Sequence, residues 1–162
     1  MKSQPNRNYK SNDRVMTPLS LCKRIIDYFN PDGFILEPCK GTGNFLKYLP
    51  KERTFYCEQD EGKPFEDFTK KVNWVITNPP WSKMRLFLNL SFKCANHVVF
   101  VMTINHIFTK ARIRDMKENN FNLKEILYID TPKEFPPMGF QLGVVHYERN
   151  YKGSTIIKNL PV

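Results

Sequence analysis

Two adjacent prolines, Pro79 and Pro80, close the apolar run 72–77 and fix what this part of the chain can be. Val72, Trp74, Val75 and Ile76 are β-branched or aromatic and read as a buried strand, and proline ends it because it has no N–H to give to a ladder. Asn78 then stands at the carboxyl end of a strand, where open α/β sheets hold their ligands. An amide, two rigid residues and the indole of Trp81 together suit the holding of a planar amine. The Asn78 side-chain oxygen and the Pro79 carbonyl both accept hydrogen bonds, and Trp81 offers a stacking surface. A proline turn followed by a core tryptophan is the plainer alternative for this tetrapeptide taken alone.

The segment upstream carries a second signal. Residues 34–37 (Phe34, Ile35, Leu36, Glu37) form a short apolar strand that runs into Pro38, Cys39, Lys40, Gly41, Thr42, Gly43 and Asn44, then into a helical pattern with Phe45, Leu46 and Leu49. Strand, glycine turn and helix in that order let a ligand approach the backbone closely. Only seven glycines occur in the chain, and two of them sit in this turn. A second strand, 54–57, ends in Glu58, a carboxylate placed to accept hydrogen bonds from ribose hydroxyls, as in nucleotide-binding α/β units. Residues 61–71 are too few and too polar for a full helix and strand, and Asp67 and Phe68 are their notable features.

Around these motifs the chain alternates helix and strand, which is the pattern of an α/β sheet. Leu21, Ile25, Tyr28 and Phe29 share a helical face behind a start made by Thr17 and Pro18. A second helix is expected over 83–95, a fully buried strand over 98–102 and a basic helix over 109–119. On that last helix Lys110, Arg114 and Lys117 stand at i, i+4 and i+7, a face that either contacts phosphates or is simply solvated. A strand at 123–129, a loop at 135–139 and a last strand at 142–147 complete the pattern.

With 162 residues and 41% hydrophobic content, the chain suits one domain with a real core. No apolar run reaches the roughly 18–20 residues of a membrane span, and the polar start does not read as a signal peptide. Cys22, Cys39, Cys57 and Cys94 are scattered without a CxxC pair, so neither a cysteine zinc site nor a disulfide framework is expected, which fits a reducing, cytoplasmic setting. Lys and Arg total 25 against 16 Asp and Glu, a net charge of +9 that points to a polyanionic partner, with a solvated basic surface as the alternative. Residues 1–14, with Lys2, Arg7, Lys10 and Arg14, read as a basic arm that either lies along phosphates or is a plain tail.

Taken together, Thr17-Pro18, the Leu36 to Phe45 glycine loop and Asn78-Pro79-Pro80-Trp81 resemble the amino-methyltransferases that use S-adenosylmethionine, above all the DNA adenine-N6 enzymes. The resemblance covers most of the chain from Val15 to Tyr147. It implies a three-layer α/β/α Rossmann-like methyltransferase sheet, mostly parallel with one antiparallel strand near the edge, in a single domain over 15–162. Carried over by position, Met16, Thr17, Pro18, Glu37, Pro38, Cys39, Gly41, Gly43, Asn44 and Phe45 would wrap the methionine end of the cofactor, and Glu58 would bind its ribose. Asp67 and Phe68 stand where the family contacts the cofactor adenine. Asn78, Pro79, Pro80 and Trp81 would carry the transfer, with Asn78 also touching the cofactor, and no metal is implied. Lys40 departs from the family, which commonly has a small residue there.

The resemblance also implies partners. The target would be nucleic acid, DNA first, with single-stranded DNA or RNA as variants, and Lys110, Arg114 and Lys117 are the candidate backbone contacts. The 81 residues after Trp81 are nearly consumed by sheet and helices, so weak selectivity, a partner subunit or a homodimer is expected for target reading. A bacterial cytoplasm, or a host cytoplasm for a phage-encoded chain, is the implied setting. Two other readings stay open: a protein-glutamine methyltransferase, whose motif also opens with Asn-Pro-Pro, and a degenerate methyltransferase fold that only binds.

Overall fold

The computed structural model of the chain describes residues 13–137 and 139–161. The arm expected over residues 1–14 therefore falls, apart from Asp13 and Arg14, outside the described residues.

Among the described residues, seven strands form one sheet in the order β2-β1-β3-β4-β6-β5-β7. They are β1 (Ile35–Glu37), β2 (Thr54–Tyr56), β3 (Trp74–Thr77), β4 (His97–Thr103), β5 (Phe121–Tyr128), β6 (Leu142–Arg149) and β7 (Ile156–Asn159). Every pairing is parallel except the two made by β6, so one strand runs against six. The central strands β3 and β4 are buried almost throughout, as expected of strands covered on both faces.

Helix α1 (Leu19–Phe29) covers one face of the sheet, where Leu21 and Ile25 join Ile76, Val99, Val101 and Val144. Helices α2 (Met84–Cys94) and α3 (Lys110–Glu118) cover the other, where Leu88, Phe92 and Met116 join Val98, Phe100 and Tyr147. The three-layer α/β/α arrangement is the one expected. Each large apolar side chain buried in these layers stabilises the fold by roughly 1.5–3 kcal/mol.

Three details differ from the sequence reading. Residues 44–49 form consecutive turns rather than a helix. Pro50 and the 3-10 turn Lys51–Arg53 follow at once and lead straight into β2, which leaves too little chain for a cooperative second helical turn. Phe45 and Leu49 bury all the same. The start of α1 is capped by Pro18 itself, with no side-chain cap, because the Thr17 hydroxyl turns inward. Finally, β6 is not the last strand. Ile156–Asn159 adds a parallel edge strand whose four residues are all exposed, so it has no buried face for an apolar pattern to mark.

Candidate active site

Leaving β1, the chain goes to one side of the sheet to build β2 and to the other to build β3. The gap between the carboxyl ends of β1 and β3 is thus a topological switch point, the place where open α/β sheets bind ligands. Register sets Leu36 beside Val75, so the turn after Glu37 and the Asn78 to Trp81 segment emerge side by side.

The glycine turn is built by backbone that only glycine adopts at low cost. Gly41 and Gly43 have φ of 53° and 78°. A Cβ at Gly41 would lie 2.6 Å from the Met16 sulfur, so this turn and residue 16 share a space cut for a glycine. Glu37 holds the turn from beneath: its Oε1 accepts from the Cys39 N–H at 3.0 Å, and burial pushes its carboxyl up to about 8. Glu58 holds it from the side, its Oε2 accepting from Gly41 N–H at 2.7 Å and its Oε1 from Asp60 N–H at 3.2 Å. A carboxylate has about four acceptor positions, so Glu58 keeps capacity for further donors.

Above this turn lies a cavity of about 490 Å³. Met16, Pro38, Cys39, Gly41, Glu58 and Pro80 form its walls, together with Phe65 and Glu66. Asp67 and Phe68, which the reading put at the cofactor adenine, do not line this cavity. Asp67 is exposed, and Phe68 turns away to pack on Phe55 and Phe65 at ring separations of 5.9 and 6.5 Å. A smaller recess beside the cavity is lined by Thr17, Asn44, Phe45 and Asn78. Pro18 and Gly43 shape the backbone nearby without lining either space.

The cavity opposes the rest of the chain in charge. Asp13, Glu58, Asp60, Glu61 and Glu66 line it against Arg14 and Lys83, in a protein whose net charge is +9. Lys40 does not line this cavity, though it borders the smaller recess. It pairs with Glu61 and lies 4.9 Å from the centre of the Tyr56 ring.

Asn78 is held by one half of its amide. Its Nδ2 donates to the Val15 carbonyl at 3.0 Å, while its Oδ1 is buried and has no partner. Segment 15–17 is fixed at its other end by Asn44, whose Nδ2 donates to the Thr17 carbonyl at 2.9 Å. Asp13 completes the arrangement by accepting from the Ser82 N–H at 3.1 Å and from the Ser82 hydroxyl. Pro79 is buried, and half-buried Trp81 faces Phe135 at 6.1 Å. Together, Asp13, Val15, Asn78, Pro79 and Trp81 line one small recess. Asp13, Val15, Phe65 and Glu66 are among the lining residues that sequence reasoning missed. The first two reach the site through contacts more than sixty residues away along the chain, and no local pattern announces such contacts.

Lys110, Arg114 and Lys117 share an exposed surface of α3 with Phe108 and Ile113. Phe108 is 62% exposed, and the segment from β4 to α3 leaves the same sheet edge as Asn78. Among the described residues no helix is long and apolar enough to cross a membrane.

No protein-family model matches the chain, and no curated protein does. Solved structures do match. A candidate RNA methyltransferase from Pyrococcus horikoshii is 18% identical at a TM-score of 0.58, over 88% of this chain and 91% of the other. The type I restriction enzyme EcoKI M protein is 16% identical at 0.64, over 85% of this chain and 44% of its own, so this chain spans less than half of it. The 23S rRNA methyltransferase ErmE is 11% identical at 0.64, over 86% and 72%. The likeness establishes the fold: the chain has the Rossmann-like sheet of the methyltransferases.

Proposed function

We propose that this chain is an S-adenosylmethionine-dependent methyltransferase acting on the exocyclic N6 amine of adenine in nucleic acid, with DNA the first candidate. One observation carries the reading: the Asn78 Oδ1 is buried without a partner at the carboxyl end of β3, beside a cavity at the switch point. A buried acceptor left unpaired costs about 1–3 kcal/mol, and an amine donor arriving there relieves that cost.

The residues present fit the cofactor. The charged part of the cavity lining is mainly acidic, which suits a ligand carrying a sulfonium and an ammonium against one carboxylate. Met16, Thr17, Pro18, the 37–45 loop and Glu58 would hold it, and the missing Cβ at Gly41 lets Met16 pack directly on the turn to shape the wall. When bound, the cofactor supplies an electrophilic methyl group.

The chain's own residues then act on the amine. An adenine amine is a poor nucleophile because its lone pair is delocalised into the ring. Acceptance by Asn78 Oδ1 and the Pro79 carbonyl favours a pyramidal nitrogen and stabilises the positive charge that develops on it. The Val15 carbonyl fixes the Asn78 amide so that its oxygen, not its nitrogen, meets the amine. Trp81 supplies a stacking face for a base taken out of a duplex at a cost of a few kcal/mol. No strong base is required before attack, because the proton leaves after transfer.

The net charge of +9 and the basic face of α3 support a polyanionic target over a protein glutamine. A partner subunit or a second copy is the proposed reader of the target sequence. The test is transfer of labelled methyl to double-stranded DNA, single-stranded DNA, RNA and a protein extract in parallel, followed by nucleoside analysis. N6-methyladenine in a nucleic acid is the expected product. Label in protein alone would support the glutamine reading, and failure to bind the cofactor would support the degenerate fold.

A further inference from the structure

At the opposite end of the sheet from Asn78, β4 and β6 bring two imidazoles and a carboxylate together. His97 pairs in register with Glu148, and Val99 with His146, so all three side chains stand on the face that α1 covers. His97 Nδ1 lies 3.1 Å from His146 Nε2 and 3.7 Å from the nearer Glu148 oxygen, and one ligand atom from each residue falls within 4.8 Å of the others. We propose that His97, His146 and Glu148 form a binding site for a divalent transition metal of the zinc class.

Geometry is the first argument. Ligands about 2.0–2.1 Å from a tetrahedral zinc are about 3.3 Å apart, and the two measured separations bracket that value. Donor type is the second. Two imidazoles and one carboxylate are a borderline set that suits zinc and its first-row neighbours, and three protein ligands leave one position open. His97 and Glu148 are each about a quarter exposed, which gives the ion a path in.

The surroundings supply a third argument. His146 is 2% exposed, and its Nδ1 has no hydrogen-bond partner. With Nε2 on a metal, Nδ1 must carry the hydrogen, and the group it faces is the Glu125 carboxylate at 3.5 Å. An imidazole with its far nitrogen turned toward a carboxylate is the usual outer support of a metal ligand. Glu125 is itself held by the Tyr28 hydroxyl at 2.8 Å and lies 4.0 Å from the Lys158 ammonium. The competitor is Lys124, whose ammonium lies 2.6 Å from the Glu148 carboxylate. A bound ion would cross-link β4 and β6.

The test uses full-length protein without a histidine tag, purified in chelator and titrated with Co²⁺. Visible d–d bands saturating at one equivalent are expected. His97 stacks on Trp74 at 4.1 Å, so the same titration should quench Trp74 emission, read in a Trp81→Phe background. Zinc should raise the melting temperature. His97→Ala and Glu148→Gln, both at partly exposed positions and checked for a native circular dichroism spectrum, should weaken binding at least tenfold, and Lys124→Met should tighten it. The proposal is overturned by the absence of stoichiometric binding, by sulfur-to-cobalt charge-transfer bands that place the ion on a cysteine, or by unchanged affinity in both ligand variants.

Discussion

The Asn78 side-chain nitrogen donates to the carbonyl oxygen of Val15, sixty-three positions earlier in the chain, and that bond decides which end of the amide faces the recess. An amide can flip at little cost in water, but here the flipped form would set two oxygens against each other. The N-terminal segment is therefore part of the site and not a lead-in to it. Asn78→Ala removes the acceptor and should abolish methyl transfer while cofactor affinity stays within a few-fold. Asn78→Asp keeps an acceptor but places carboxylate oxygen against the Val15 carbonyl, so it should lose transfer and also lower the melting temperature. Wild-type turnover in the alanine variant would refute the mechanism.

The two glycines of the turn should respond differently. At both, a side chain is strained by roughly 1–2 kcal/mol because of the positive φ. At Gly43 that is the whole cost, since an added Cβ meets nothing nearer than Lys40 Cε at 3.9 Å. At Gly41 the Cβ also collides with the Met16 sulfur. Gly41→Val should therefore displace residue 16 and abolish cofactor binding, measured by calorimetry, whereas Gly43→Ala should weaken it only modestly. Equal affinities for the two variants would mean that cofactor binding does not depend on how Met16 packs against Gly41.

Glu37 makes the fold sensitive to pH. Its carboxyl is raised by burial from 4.5 to about 8 in the folded state. Below 4.5 both states hold the proton. Between 4.5 and about 8 the unfolded chain ionises while the folded one does not, so stability falls as pH rises through that window, by up to about 5 kcal/mol. Above it both states are ionised and the cost is constant. Glu37→Gln keeps an oxygen for the Cys39 N–H and cannot ionise. Urea midpoints at about pH 5, 7 and 9 should fall for the wild type and fall much less for the variant. Parallel profiles would show that Glu37 is not the titrating group.

Much of this arrangement is legible in the chain. Pro79 and Pro80 end a strand wherever they occur, so the position of Asn78 at a strand end follows from local chemistry. The apolar runs of β3 and β4 likewise announce burial on both faces. What stays hidden depends on contacts between distant segments. Residues 44–49 carry a helical pattern that the short span before Pro50 overrides. Phe65 and Glu66 line the cavity and Asp67 and Phe68 do not, because the short segment after Glu58 closes on two 3-10 turns. The pairing of His97 with His146 exists only once β6 inserts next to β4.

The basic face of α3 can be tested apart from the chemistry. Lys110, Arg114 and Lys117 are exposed on one surface with Phe108, and none of the three belongs to the core, so replacing them should leave the fold intact. If all three approach phosphates, changing them together to glutamine removes three counterion-releasing contacts. The slope of log affinity against log salt should then become shallower by about 2–3, with a uniform loss of affinity across sequences. Adding Phe108→Ala should weaken single-stranded targets more than duplex, because an exposed ring stacks on unpaired bases. Cofactor affinity in the absence of nucleic acid should not change. An unaltered salt slope would show that α3 is only a solvated face and would move the search for the phosphate-binding surface elsewhere on this strongly basic chain.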